Sequence, residues 1–258
     1  MIALLVLLCA ACGRERVLTV CADPNNLPFS NRAGQGFENK LAELIAGQMH
    51  ARLDYVWWAQ RRGYVRNTLN SRSCDLWPGV ASTVDMLATT RPYYRSTYVF
   101  VTRTGDRLAG LTLDDPRLRR LRIGVQLIGD DGTNTPPAHA LSRRNIIGNV
   151  RGYMLYGDYR HENPPAEIVR AVARGEIDVG LVWGPLAGYF AANSAVPLSV
   201  EPVRPWLDDT RWPMIYEISA GVQRNNTVLL HEVDQVLTSR RADIQSLLAR
   251  YHVPIVAE

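Results

Sequence analysis

Several short apolar runs of this chain end in polar and aromatic side chains whose types suit ligand contact better than bond-making chemistry. Val17–Ala22 is followed by Asp23, Asn25, Asn26 and Phe29 inside a proline-bracketed loop. Trp58 closes the run that begins at Arg52, Gly79 and Ser82 end the run from Cys74, and Arg91 and Tyr94 introduce the next one. In the second half, Gln126 with Asp130, then Asp158, then Trp183 stand in the same relation to their own runs. Amides, carboxylates and aromatic faces gathered at strand ends are the materials of a binding cleft, because open α/β sheets hold ligands beyond the carboxyl ends of their strands. Each residue also has a plainer role available. Asn and Asp satisfy turn backbone, and a tryptophan packs a core or a lobe interface.

Catalytic patterns are missing from the sequence. It contains no phosphate loop, no dinucleotide glycine fingerprint and no Gly-x-Ser-x-Gly elbow. His50, His139, His161, His231 and His252 are scattered without metal-ligand spacing. Asp130-Asp131-Gly132-Thr133-Asn134 lacks the alternating ligands and closing glutamate of a calcium loop, and reads instead as a turn that caps the next helix. No catalytic residue, metal or cofactor is therefore expected.

Composition narrows the class further. The chain has 258 residues, 47% hydrophobic, with a net charge of +4. That is enough material for a large core in two lobes. Lys40 is the only lysine, and the arginine pairs are spread over separate elements with no basic stripe, so a nucleic-acid partner is not expected. Residues 2–12 form an apolar stretch too short to span a bilayer, matching the core of an export signal. Its ending, Leu8-Cys9-Ala10-Ala11-Cys12-Gly13, is close to a lipoprotein cleavage site, so a lipid on Cys12 is the one membrane attachment the sequence offers. Export to the periplasm leaves Cys21 and Cys74 as the pair in the mature body, expected to be bridged in an oxidising compartment. The alternative is two reduced thiols packed as small hydrophobes.

The elements that must position these loops alternate strand and helix. Val17–Ala22 reads as a strand and residues 37–49 as an amphipathic helix; residues 52–58 read as a strand and 61–72 as a helix. Residues 74–80 read as a strand broken at Pro78-Gly79, with a helical turn at 85–88 after it. Residues 97–102 form a strand suited to a crossover between lobes. A second series follows: strands at 121–125, 150–156, 179–183 and 198–203, with helices at 138–144, 164–174 and from Gly184. A strand at 215–222 and one or two helices over 226–251 close the chain. This alternation implies a mainly parallel sheet. We expect a leader at 1–12, a first lobe at 17–99 plus 214–258, and a second lobe at 100–213. Two crossings between lobes would make a hinge.

The chain resembles the type 2 periplasmic solute-binding proteins, and within them the quinoprotein-dehydrogenase-associated, MxaJ/XoxJ-like branch. The resemblance rests on Cys21-Ala-Asp-Pro-Asn-Asn-Leu-Pro-Phe-Ser30, on Trp58 with Gln60-Arg61-Arg62-Gly63, and on Thr90-Arg-Pro-Tyr-Tyr-Arg-Ser-Thr-Tyr98. Gln126-Leu-Ile-Gly-Asp-Asp-Gly132, Tyr156-Gly-Asp-Tyr-Arg160, Gly175-Glu-Ile-Asp178 and Val182-Trp-Gly-Pro-Leu-Ala-Gly-Tyr189 complete it. It implies a two-lobed clamshell, with a mainly parallel sheet in each lobe, that works as a non-enzymatic accessory or maturation factor of a PQQ-dependent alcohol dehydrogenase system. Its partner would be the quinoprotein dehydrogenase or its cytochrome, with a small-molecule ligand as a further option. A receptor for an ABC permease, carrying a small uncharged or aromatic solute, is the alternative. One departure bears on function. Amino-acid-binding relatives follow the third strand with Gly…Thr-x-x-Arg, whose arginine grips the ligand carboxylate. Here Gly79-Val-Ala-Ser-Thr-Val-Asp85-Met-Leu-Ala carries no arginine.

Overall fold

The computed structural model describes residues 15–128, 134–155, 159–209 and 211–257. Its main strands are β1 (Val17–Ala22), β2 (Arg52–Trp57), β3 (Leu76–Ala81), β4 (Tyr94–Arg103), β5 (Ile123–Leu127), β6 (Val150–Met154), β7 (Val179–Trp183), β8 (Leu198–Pro202) and β9 (Ile215–Val222). The helices are α1 (Phe37–Gln48), α2 (Tyr64–Asn67), α3 (Pro136–Arg143), α4 (Glu167–Ala173), α5 (Gly184–Ala192), α6 (Thr227–Ser239) and α7 (Arg241–Arg250). Hydrogen bonding orders the strands β2-β1-β3-β9-β4-β7-β5-β6, with β8 on β4 as well.

Two parallel βαβ systems flank a pair of antiparallel crossing strands. β1 runs parallel to β2 and β3, and β5 runs parallel to β6 and β7. The long strand β4 belongs to both systems. Its residues Tyr94–Thr97 pair with β9, whereas Tyr98–Thr102 pair with β7 and Val99–Arg103 with β8. The change of partner between Thr97 and Tyr98 marks the first passage between lobes. The return passage is tied at the same place: the Thr97 hydroxyl and the Tyr98 N–H both donate to the Met214 carbonyl, and the Val203 N–H donates to the Tyr98 carbonyl.

Apolar periodicity explains the packing. α1 buries Phe37, Leu41, Ala42 and Ile45, an i, i+4, i+5, i+8 stripe, against Leu18 and Val20 of β1 and against α6 and α7. β7, parallel to β5 and antiparallel to β4, is buried on both faces: Leu181 packs with Phe100, Ile123 and Leu141 on one side, and Val182 with Val101, Ile168 and Leu186 on the other. A smaller cluster joins Cys21, Tyr64, Leu69, Cys74 and Val80. Within it Cys21 and Cys74 form a disulfide with a Cα–Cα distance of 5.5 Å, so the expected bridge is present.

Three local expectations are corrected. The helix expected over 61–72 is only Tyr64–Asn67, because Gly63 enters it at φ 83° and Thr68 leaves helical geometry, its hydroxyl donating to the Tyr64 carbonyl. The strand expected to break at Pro78-Gly79 runs through both residues. β9 skips register between Ser219 and Gly221 opposite them, and that irregularity accommodates a residue with no N–H to donate. The turn of helix expected at 85–88 is instead a turn leading to the short strand Ala88–Thr89, which pairs with β9.

The C-terminal segment forms a third link between the lobes. Tyr251 stacks on Tyr189 of α5 at 5.8 Å, the Ser96 hydroxyl donates to the Pro254 carbonyl at 2.6 Å, and the Val256 N–H donates to the Arg95 carbonyl. A Cβ on Gly188 would lie 1.9 Å from the His252 carbonyl oxygen, so the segment approaches α5 as closely as a glycine permits. No helix among the described residues is long and apolar enough to cross a membrane.

Candidate functional site

The loop after β1 meets the loop after β6 across the gap between lobes, and a partly open cavity of about 190 Å³ lies beneath the contact. Asp23 organises the upper wall. Its side chain is buried and its charge is met by donors: the Asn25 N–H at 2.8 Å on one oxygen, the Gln60 N–H at 2.7 Å on the other, and the Tyr159 hydroxyl from the opposite lobe. A buried carboxylate satisfied this way avoids the large penalty of an unpaired charge. Ser30 fixes the loop itself, accepting from the Asp23 N–H and donating to the Asp23 carbonyl.

Further ties cross the same gap. Asn25 donates through Nδ2 to the His161 carbonyl at 2.8 Å and accepts from the Asn163 N–H at 2.9 Å. The Leu27 N–H donates to Asn163 Oδ1, and the Arg61 guanidinium lies 4.7 Å from the Tyr159 ring centroid. The lobes are thus closed on each other by the protein's own groups.

The floor carries a carboxyl that no described side chain or backbone group meets. Glu38, in the first turn of α1, is 5% exposed and lines the cavity. Its carboxyl lies against the β3 backbone, since a Cβ on Gly79 would fall 2.0 Å from Oε1. No hydrogen bond or ion pair to this carboxyl exists among the described residues. Burial first, and the Asp23 carboxylate second, push it up to about 8. Tyr93 and Tyr94 beside it are both held well above the ordinary phenol range, by burial first, then by Tyr94 and Glu38 for Tyr93 and by Glu38 for Tyr94.

Of the residues singled out from sequence, Asp23, Asn26, Phe29, Gly79, Tyr94, Gln126 and Trp183 line the cavity. Gln126 is buried and accepts the Trp183 N–H on Oε1, while the Trp183 ring packs edge-on to Tyr98 and Tyr216. Asn25 does not line the cavity but closes it. Trp58 is 45% exposed and outside it. Ser82 also lies outside, its N–H donating to the Glu217 carbonyl. Arg91 is a correction: its backbone N–H and guanidinium both bind Asp234, with Thr238 as a further acceptor, so it secures α6 on the exterior. Asp130 and Asp158, with the leader and Cys12, fall outside the described residues.

Sequence reading missed Glu38, Gln60, Tyr159 and the apolar lining groups Leu155, Pro165, Leu186 and Ile218. A signal for Glu38 existed. It occupies position i of the stripe continued by Leu41, Ala42 and Ile45, where a charged residue is out of place unless it faces a cavity. Among the described residues no group of three or more His, Cys, Asp or Glu is arranged to hold a metal ion. The lining holds no lysine or arginine among the described residues.

No family model matches the chain. Protein MoxJ of Methylorubrum extorquens is 30% identical over 254 residues, covering 93% of this chain and 81% of that protein. The crystal structure of the periplasmic binding protein XoxJ from Methylobacterium extorquens AM1 superposes with a TM-score of 0.77 at 40% identity, covering 94% of this chain and 100% of the other. The crystal structure of MxaJ from Methlophaga aminisulfidivorans gives 0.78 at 24% identity over 93% of this chain and 100% of the other.

Proposed function

Since the chain belongs to the MoxJ/XoxJ/MxaJ-like branch of the type 2 periplasmic binding proteins, we propose that it is a non-enzymatic periplasmic accessory or maturation factor of a PQQ-dependent, methanol-type alcohol dehydrogenase system. Its partner is the quinoprotein dehydrogenase or the cytochrome that accepts its electrons. The likeness to XoxJ along nearly the full length of both chains carries this reading. Two features of the site support it. The lobes are closed by side chain and backbone contacts between the loops themselves, so closure does not wait for a large solute. Among the described residues the cavity also lacks the arginine with which amino-acid receptors grip a carboxylate.

In this role the exposed outer rims of the closed lobes, Trp58 among them, are the surfaces offered to the partner protein. Lipidation of Cys12 would hold the factor at the membrane. A second reading, a receptor delivering a small solute to an ABC permease, draws on the cavity between the lobes. Affinity capture of the tagged protein from periplasm separates the two. Recovery of a quinoprotein dehydrogenase, diminished by Trp58→Ala, supports the accessory role. Recovery of no dehydrogenase, together with a permease partner, overturns it.

A further inference from the structure

We infer that the interlobe cavity is a site for a small organic cation, a primary ammonium attached to a compact apolar body and bearing no carboxylate. Three observations carry this. The first is the unmade bonding of Glu38: a carboxyl 5% exposed, facing the interlobe cavity, with no donor from the described residues. Buried polar groups in folded proteins are almost always paired, and this carboxyl becomes an acceptor-only group once it ionises, calling then for a donor from a ligand. The second is the sign of the charge. Asp23 and Glu38 both line the cavity and, among the described residues, no lysine or arginine does, so anions are repelled and a zwitterionic amino acid has no described group to hold its carboxylate. The third is the remaining wall, where Phe29, Tyr94, Tyr159 and Trp183 supply aromatic surface of the kind that attracts cations and buries apolar groups.

Asp23 and Glu38 have different parts. Asp23 has spent its oxygens on Asn25, Gln60 and Tyr159, so it supplies field rather than a free acceptor. Glu38 supplies the direct contact. The volume suits a small body: a cavity of about 150 Å³ holds benzene, and about 190 Å³ takes in a benzene ring with a short arm. The titratable groups facing Glu38 are Asp23 just after β1, Tyr64 of α2, Tyr93 just before β4 and Tyr94 at its start. Across the gap Tyr159 stands beneath the Arg61 guanidinium. The phenols stay neutral and Asp23 stays engaged, so Glu38 is the group that changes charge as a cation enters. Binding releases its proton, and affinity below the Glu38 titration falls about tenfold per pH unit.

This inference concerns the cavity and stands whichever protein partner is correct. Benzylamine is the probe, with benzyl alcohol as its neutral counterpart, measured by titration calorimetry on the full chain below and above pH 8, in buffers of differing ionisation heat. Benzylammonium should bind at least about tenfold more tightly than the alcohol above that pH, weaken below it, and release a proton that the buffer heats register. Glu38→Gln should erase both the preference and the proton release, while thermal melting shows the variant still folded. Equal or tighter binding of benzyl alcohol overturns the inference. So does benzylammonium binding that survives Glu38→Gln unchanged, or no heat from benzylamine at millimolar concentration. A fold lost in the glutamine variant leaves the parent's pH dependence and proton release to decide.

Discussion

Replacing Glu38 by glutamine should stabilise the protein, and by more as the pH rises. The carboxyl ionises near 4.5 when free and only at about 8 in the folded chain, because burial and then the Asp23 carboxylate oppose its charge. Between those values the folded state keeps a proton that the unfolded state has released. Stability therefore falls with rising pH by about 1.4 kcal/mol per pH unit across that window and levels off above it. The contribution is whole below the unfolded value and lost progressively on the way to the folded one, the reverse of an ion-paired carboxylate. Glutamine preserves the shape but cannot ionise. Its buried amide carries a desolvation cost comparable to that of the protonated acid and independent of pH. Urea unfolding of parent and variant at matched pH isolates the titrating part. From pH 5 to pH 7 the variant's advantage should grow by about 3 kcal/mol. A difference that stays constant with pH, or one that shrinks, would refute the reasoning about Glu38. The same change should remove amine binding, so the group that weakens the fold is the one the cavity uses.

Further changes test the frame around the site. Opening the Cys21–Cys74 bridge, whose residues lie 53 apart, should remove about 4 kcal/mol on the chain-entropy relation, read as a lower urea midpoint with reductant present. Asp208, with its side chain 4% exposed, is gripped by two guanidinium nitrogens of Arg144 at 2.8 and 3.0 Å, which pins the return passage to α3. Asp208→Ala should cost about 2 kcal/mol, because Arg144 retains Asp114 while losing its buried partner. Gly188→Ala places a methyl group against the His252 carbonyl and should cost about 1–3 kcal/mol, with faster hydrogen exchange along Tyr251–Val256 as the local sign. Free amino acids should bind no more tightly than about millimolar, near 4 kcal/mol, and calorimetry giving micromolar values would restore a carboxylate grip from elsewhere.

Much of the fold was legible because its signals are local. β1 and β7 are apolar runs bounded by polar turns, α1 carries its core stripe, and Pro136, Pro164 and Pro185 each open a helical segment where a missing N–H is harmless. What misled is non-local. Nothing near Pro78 discloses that β9 bends its register to accept it, and nothing near Arg91 discloses that Asp234 waits on α6. Asn25 reads as a loop amide until Asn163, 138 residues on, returns its hydrogen bond. Glu38 is a different failure. Its place on an apolar stripe was visible, yet at the start of a helix an acidic residue reads as favourable dipole chemistry, and only the tertiary packing makes it the cavity floor.

The role of the protein is tested most directly by removing it. In a strain deleted for this chain, the fraction of the quinoprotein alcohol dehydrogenase that is active and loaded with its quinone should fall sharply, and the restored wild-type chain should recover it. Undiminished active dehydrogenase in the deleted strain, with a lost uptake of some small solute instead, would contradict the accessory role and establish a transport receptor.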